Sequence, residues 1–336
     1  MNILVNGIGN IGTTLLNILH LYKNELSIDN IFALKNNPTN WNKADLEILS
    51  EKEIIICSST ENHTDFEEIK NKIDYIFDCT TNKYGNKNKL LYSELTNLKA
   101  CSAQGSEKGF GIPFMSGIND KQIENQKFAH IVSCNTHSLA SILTTFCGQN
   151  LDNLEKADFV IVRRSEDLGN HSRLVSANVV SRHLSSEVGT HHSIDVIDLF
   201  KTINKTVDIS SSDITTPSQL MHSVRFNITL KNKLSQSDIT EKINNSEFVS
   251  ESAKFDSNVI FELGRRYSQF GRLYSHAIFV SNNILINNNE IKGWAFIPQE
   301  GNTILSTINA FLLQTANKST EEIMKMLKVD LIRKKW

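Results

Sequence analysis

Over the first 135 residues, short apolar runs alternate with segments of helical spacing. Residues 3–5, 31–34, 54–57, 75–77 and 130–132 read as buried strands, because their apolar positions are continuous and bounded by polar or glycine residues. Between them Ile11, Leu15, Leu19 and Tyr22 share one helical face, as do Leu90, Leu91 and Leu95. Strand and helix in alternation predict an α/β, Rossmann-type, doubly wound parallel sheet with right-handed crossovers. Beyond residue 135 the texture changes. Strand-like runs at 159–162, 224–230, 276–280 and 294–297, with the Asn287-Asn288-Asn289 link, predict hairpins and an α+β domain with a mostly antiparallel sheet. Helical spacing returns at about 303–336. The expected division is therefore 1–135, with about 303–336 packing back on it, and 136–302 as a catalytic and phosphate-binding domain.

Composition narrows the class. The chain has 336 residues, 40% hydrophobic and 21% charged, which suits two soluble globular domains. A net charge of -2 gives no general attraction to nucleic acid or anionic membranes, so neither is expected as a partner. No run approaches the roughly 18–20 apolar residues of a membrane span, and residues 1–5 enter a strand-like run without a signal segment. Five cysteines without zinc-type spacing argue for a reducing compartment, and the expected location is the cytoplasm. The basic tail Arg333-Lys334-Lys335-Trp336 reads as a frayed, solvated terminus, with contact to a partner as the alternative.

Gly7-Ile8-Gly9-Asn10-Ile11-Gly12 lies between the first strand and the first helix. In that context Gly7 permits the turn, Gly9 lets a pyrophosphate approach the backbone, and Gly12 allows close helix–strand packing. Asn10 and Ile11 start the helix, whose N–H groups face the ligand. The bland alternative is a tight turn without a ligand. The second strand ends in Leu34-Lys35-Asn36, not in an acidic residue. Lys35 there suits a 2′-phosphate, or is simply a solvated lysine, so NAD and NADP are both expected coenzymes.

Among the cysteines, Cys134 alone follows a buried strand and opens an apolar helical run, where the helix dipole favours a thiolate. Cys57 and Cys79 end apolar strands and read as small buried hydrophobes. His222, from local pattern alone, fits a strand histidine with a structural hydrogen bond.

Ser133-Cys134-Asn135-Thr136 resembles the nucleophile motif of the archaeal-type (class II) glyceraldehyde-3-phosphate dehydrogenases. The resemblance runs in order along nearly the whole chain. Asp78-Cys79-Thr80 with Lys87-Asn88 is similar to the family's coenzyme-side strand and helix. Gln104-Gly105-Ser106-Glu107-Lys108 resembles its Gln-Gly-Gly-Glu-Lys turn, and Arg163-Arg164-Ser165-Glu166-Asp167 its Arg-Arg-Ala-x-Asp segment. His191-His192-Ser193-Ile194-Asp195 resembles His-His-Gly-Pro-Asp. Leu220-Met221-His222 and Leu263-Gly264-Arg265 match family triplets.

The resemblance implies roles. Cys134 would attack the aldehyde carbon of glyceraldehyde 3-phosphate, with His222 as the base. Hydride would pass to NAD or NADP, and inorganic phosphate would release the acyl group from sulfur. Thr80, Gly105 and Asn302 would join Gly7, Gly9, Asn10, Ile11, Gly12 and Lys35 on the coenzyme. Ser133, Asn135, Thr136, Arg163, Arg164, His191 and His192 would line the substrate and phosphate sites, guanidinium being suited to bidentate phosphate binding. Asp167 would orient an arginine. No metal is expected, because the paired histidines lack a Cys or His partner at ligand spacing. A homo-oligomer, a tetramer by resemblance, is the expected assembly.

The chain also departs from the pattern. Where the family continues Thr-Gly-Leu-Cys-Arg, it has His137-Ser138-Leu139-Ala140-Ser141, so an arginine is lost. Gly-Pro after the paired histidines is Ser193-Ile194. Two further readings follow: a related aldehyde or semialdehyde dehydrogenase with the same Cys–His chemistry, or a silent dinucleotide-binding paralogue.

Overall fold

The computed structural model describes residues 1–336 except 61–62, 166–176 and 219. Glu166 and Asp167, and with them the proposed orientation of an arginine, lie outside the described residues. The chain forms two compact units, Met1–Ile131 with Ser306–Met324, and Val132–Leu305 with Lys325–Trp336.

In the first unit, β1 (Asn2–Asn6), α1 (Asn10–Leu21), β2 (Asn30–Leu34), α2 (Lys43–Glu51), β3 (Ile55–Cys57), α3 (Phe66–Ile69), β4 (Tyr75–Asp78), α4 (Tyr84–Glu94), β5 (Ala100–Gln104), β6 (Ile112–Phe114), α5 (Asp120–Ile123) and β7 (Phe128–Ile131) follow one another. The strands form one parallel sheet in the order β3-β2-β1-β4-β5-β7-β6, the Rossmann-type arrangement expected. Burial on both faces explains the continuous apolar runs: Tyr75–Asp78 is buried throughout. β5 carries too many small and polar residues to stand out by hydrophobicity, and β6 is only Ile-Pro-Phe, too short and with a proline at its centre. The Leu90–Leu91–Leu95 face needs correction. Leu90 is 74% exposed and Leu91 40%, while α4 buries Gly85 and Tyr92. The helix turns so that Tyr92 Oη reaches the buried Asp78 carboxylate at 2.7 Å, a bond that hydrophobic spacing does not reveal.

The second unit contains α6 (Cys134–Cys147), β8 (Leu154–Arg163), β9 (Val179–Val180), α7 (His191–Lys201), β10 (Ile209–Thr215), β11 (His222–Leu230), α8 (Gln236–Asn245), β12 (Val249–Ser252), α9 (Ser257–Tyr267), β13 (Ala277–Val280), β14 (Leu285–Asn287) and β15 (Glu290–Ile297). Its sheet runs β12-β13-β15-β11-β8-β10-β9 with β14 on β15, and is mostly antiparallel; β10 with β8 and β12 with β13 are the parallel pairs. The asparagine link is a hairpin, with Asn288 at φ +56° between β14 and β15.

Two helices close the chain, α10 (Ile304–Gln314) and α11 (Thr320–Leu331). The closing stretch divides between the units instead of joining the first as one piece. The terminus is tied down, not frayed: Ser250 Oγ donates to Arg333 O, Ser252 Oγ donates to Trp336 O, and Trp336 N–H donates to Glu251 O at 2.6, 2.8 and 3.0 Å.

Candidate active site

The glycine turn belongs to the first unit. Gly7 has φ +100°, and its missing Cβ would stand 2.6 Å from Cys79 O. A Cβ on Gly12 would meet Gly7 O at 2.0 Å. These two positions exclude any side chain. Gly9 is different, since a Cβ there would meet nothing within 4 Å. α1 therefore begins on open space, with no side-chain cap and no acidic residue in its first turn. The start of a helix carries the positive end of its dipole, which favours an anion. Gly7 N–H donates to Leu34 O at 3.0 Å, which brings the end of β2, and hence Lys35, beside the turn. Thr80 lies there too, with its N–H and Oγ1 bonded to Asp78.

The Gln104–Lys108 motif has a structural content. The Glu107 carboxylate accepts from the N–H groups of Lys83 and Asn86, capping the N-terminus of α4. Gly105, at φ +80°, makes the turn, and its carbonyl meets His130 Nε2 at 2.6 Å.

In the second unit Cys134 is the first residue of α6. Ser133 is the N-cap, its Oγ accepting from Thr136 N–H at 3.3 Å and meeting Thr136 Oγ1 at 2.9 Å. Those two hydroxyls thus build the cap. Cys134 is partly buried, and its carbonyl accepts from Asn302 Nδ2 at 3.0 Å. By contrast, burial pushes the Cys57 and Cys147 thiols up to about 12, and those of Cys79 and Cys101 higher still. None of these four can supply thiolate near neutral pH.

Asn135 leads on to the paired histidines. Its Nδ2 lies 3.4 Å from His192 Nδ1, and His192 Nε2 lies 3.1 Å from Asp213 Oδ2. All three residues are buried. With Asn135 donating to Nδ1, the imidazole proton sits on Nε2 and points at Asp213. Burial alone would raise the Asp213 carboxyl, but hydrogen bonds from His192 and Ser181 and the charge of Arg163 hold it at about 2. Arg163 Nη1 is 3.7 Å away. Ser193, which stands where the family has glycine, bonds through Oγ to Ser211 Oγ at 2.7 Å and fixes the start of α7 to β10.

His191, His192 and Asp213 bring ligand-type atoms within 4.8 Å of one another. Yet the two imidazole rings lie side by side, with centroids 3.9 Å apart at 44°, and Arg163 adds a cation. This arrangement, beside a helix with no acidic residue in its first turn, suits an anion better than a metal.

The two adjacent arginines separate. Arg164 is buried, donating through Nη1 to Leu220 O and through Nη2 to Glu300 Oε1, both at 3.0 Å. Glu300 Oε2 also meets Arg272 Nη1 at 3.1 Å. Its guanidinium is thus committed to the fold, a correction to its expected place on the phosphate. Arg163 keeps a partly exposed side chain. Arg163 ends β8 and Arg164 follows it, so that the extended chain sends one inward and one out.

His222 opens β11 opposite Ile297 of β15 and is buried. Arg164 N–H donates to its Nδ1 at 2.9 Å, and its own N–H donates to Gln299 Oε1 at 3.2 Å. Burial first, then the charges of Arg164 and Arg163, push its pKa well below the usual histidine value, so the ring is neutral at pH 7. Met221, its neighbour, points into a core with Ile260, Leu273 and Phe296. Asn302 follows β15, with Nδ2 on the carbonyls of Cys134 and His276 and a buried Oδ1 that has no partner among the described residues.

The departures from the family pattern turn inward. Ser141 Oγ bonds His276 Nδ1 at 2.9 Å, and the fully buried His137 ring packs edge-on against His276 at 4.9 Å. Leu263-Gly264-Arg265 lies on α9, where Gly264 makes room for Leu273 and Arg265 pairs with Glu262 on the surface. Sequence reasoning missed Asp213, Glu300 and Gln299, which are isolated polar residues without a local motif.

No family model matches the chain. It is 27% identical over 273 residues to the protein named glyceraldehyde-3-phosphate dehydrogenase of Sulfolobus acidocaldarius, a match covering 77% of each chain. It is 27% identical over 267 residues to the protein of that name from Saccharolobus solfataricus, covering 77% of this chain and 75% of the relative. A Saccharolobus islandicus protein with the same name is 26% identical over 267 residues. The resemblance read from the motifs to archaeal-type glyceraldehyde-3-phosphate dehydrogenases is borne out.

Proposed function

We propose that this chain oxidises D-glyceraldehyde 3-phosphate to 1,3-bisphosphoglycerate with NAD or NADP and inorganic phosphate, in either direction, through a thioester on Cys134. The observation that carries the reading is the hydrogen-bonded run Asn135–His192–Asp213 that starts at the residue after Cys134, with Arg163 beside Asp213, in a chain similar over 77% of its length to proteins named for that activity. Cys134, at the start of α6, adds its sulfur to the aldehyde carbon. The acyl group then rests on sulfur until phosphate takes it. Arg163 and the N-terminus of α7 supply positive potential for phosphate groups, with His191 and His192 alongside. His222 supplies an imidazole to the reacting oxygen.

The residues present fit a dinucleotide. The glycine turn before α1 and the open space at Gly9 suit a pyrophosphate. Lys35 favours tolerance of a 2′-phosphate. When bound, the dinucleotide supplies the hydride acceptor. No helix among the described residues is long and apolar enough to cross a membrane. A cytoplasmic homo-oligomer is part of the same reading.

A related aldehyde dehydrogenase is the second reading. The Ser141–His276 bond favours it, because the position where the family carries arginine faces a core histidine and offers no cation. One assay separates the readings: glyceraldehyde 3-phosphate with NAD or NADP, with and without phosphate or arsenate, followed by nicotinamide absorbance. Phosphate-dependent turnover that disappears in Cys134→Ser supports the first. Turnover with other aldehydes alone moves the assignment to the second, and coenzyme binding without any reduction sinks both.

A further inference from the structure

Four apolar residues recur at every fourth position along α9: Phe255, just before its N-cap Asp256, then Val259, Leu263 and Tyr267. On a helix this spacing sets side chains along one flank. The core takes a different face, Ile260 and Gly264, and Leu273 packs against Gly264. Leu263 is half-buried at the margin of that core, whereas Phe255, Val259 and Tyr267 are 63%, 41% and 67% exposed. Large apolar groups gathered on a soluble surface in this way mark a contact face.

Beside that flank lies a groove of about 250 Å³, lined by Lys254, Leu263, Tyr267, Arg333, Lys335 and Trp336. α9 and residues 333–336 belong to the same unit. The closing residues are held along β12 by the bonds of Ser250, Ser252 and Trp336, so the wall of the groove that they form is fixed. The Trp336 ring packs partly on the core with Leu263, and the Arg333 guanidinium lies 5.6 Å over it.

We propose that this groove docks an acidic, amphipathic helix of another protein. The proposal goes beyond the dehydrogenase reading and stands or falls apart from it. Charge selects the occupant. Lys254, Arg333 and Lys335 line the groove, and Arg266 follows Leu263 by one turn. The carboxylates nearby are already engaged: Glu262 with Arg265 and Arg266, Glu251 with Lys335, and Asp256 with the N–H of Asn258. Cations therefore outnumber carboxylates around an apolar floor, in a chain whose net charge is -2, and the complement of that surface is acidic. Shape selects a helix, because apolar side chains at every third and fourth position of a partner match a flank of the same spacing. A second copy fits poorly, since a two-fold contact brings the same cations from both sides. A single-stranded nucleic acid stacks its bases on open ring faces, and Arg333 lies over that of Trp336.

Selection of phage-displayed random peptides of about 16 residues, enough for four helical turns, on the full chain tests this. The enriched peptides should carry more Asp and Glu than Lys and Arg, with apolar residues at three- and four-residue spacing. A fluorescein-labelled copy of the tightest, followed by polarisation, should bind at least about tenfold more weakly to Lys254→Glu, where attraction becomes repulsion. The double variant Val259→Ser/Tyr267→Ser keeps every charge and should also lose about tenfold, as for an apolar anchor. Both variants change exposed side chains, and circular dichroism checks that they are folded. Enrichment of basic or uncharged peptides overturns the proposal, as does no enrichment at all, or binding that survives the serine variant. A dimer of the chain that the serine variant abolishes would give the groove to a second copy. An oligothymidylate that binds more tightly than the peptide, and no longer binds the serine variant, would give it to nucleic acid. Either result overturns the proposal.

Discussion

Asp78 in the first unit and Asp213 in the second are both buried strand aspartates, but they are finished differently. Asp78 receives Thr80 N–H and Oγ1 on one oxygen, and Asn88 Nδ2 and Tyr92 Oη on the other. Asp213 has His192 on Oδ2, while its buried Oδ1 has no hydrogen-bond partner among the described residues. Arg163 stands 3.7 Å away, too far for a full hydrogen bond. A saturated carboxylate holds the end of β4 in place. One that is left unfinished beside a partly exposed cation retains bonding capacity that a ligand can complete. The same contrast divides the arginines, since both Nη atoms of Arg164 are bonded, to Leu220 and Glu300, while Arg163 is only partly covered.

The largest expected effect tests whether the unfinished cluster is the reactive one. Cys134→Ser should lower turnover by roughly 10⁴-fold or more, as removal of a nucleophile does. A thiol-labelling experiment at pH 7 should tag Cys134 in preference to Cys57, Cys79, Cys101 and Cys147. Rapid labelling of Cys57 or Cys147 would contradict thiols pushed up to about 12.

Next in size is the arginine pair. Arg164→Ala removes one partner of a buried ion pair and should cost about 3–5 kcal/mol in urea unfolding. Arg163→Ala should move the unfolding midpoint little and instead weaken phosphate, raising its KM by about tenfold for one lost charge-assisted bond. Reversed results would mean that the fold and the ligand use the opposite members of the pair.

The aspartates follow. Asp78→Asn places an amide against a full set of donors and should cost about 1–3 kcal/mol of stability. Asp213→Asn should change stability less than that and turnover more, since it releases His192 and, through it, Asn135.

The smallest effect is the response to acid. His222 and His276 both have folded pKa values pushed well below 6.5, His222 by burial and then the nearby arginines, His276 by burial and then His137. Between the folded and unfolded values the unfolded chain binds the extra protons. Stability is therefore full above about 6.5 and falls as pH drops, by up to about 1.4 kcal/mol per pH unit for each histidine. Hydrogen exchange at pH 7 and 5.5 should show the second unit losing protection. An unchanged exchange profile around β11 and β13 would contradict the burial of these neutral rings.

Alternating apolar runs, the glycine turn after β1, and a cysteine at the head of an apolar helix were all legible along the chain, because each is a local pattern with a local physical cause. The two sheets, the nucleotide-type turn and the start of α6 follow from such patterns. The tertiary structure alone decided which of Arg163 and Arg164 is buried in an ion pair, that the Arg164 N–H meets His222 Nδ1, and that Asp213 meets His192. Those outcomes depend on partners far apart in sequence, such as Glu300 for Arg164 and β10 for α7. A hydrogen bond between such partners is set by the register of strands and helices, and no local periodicity encodes it.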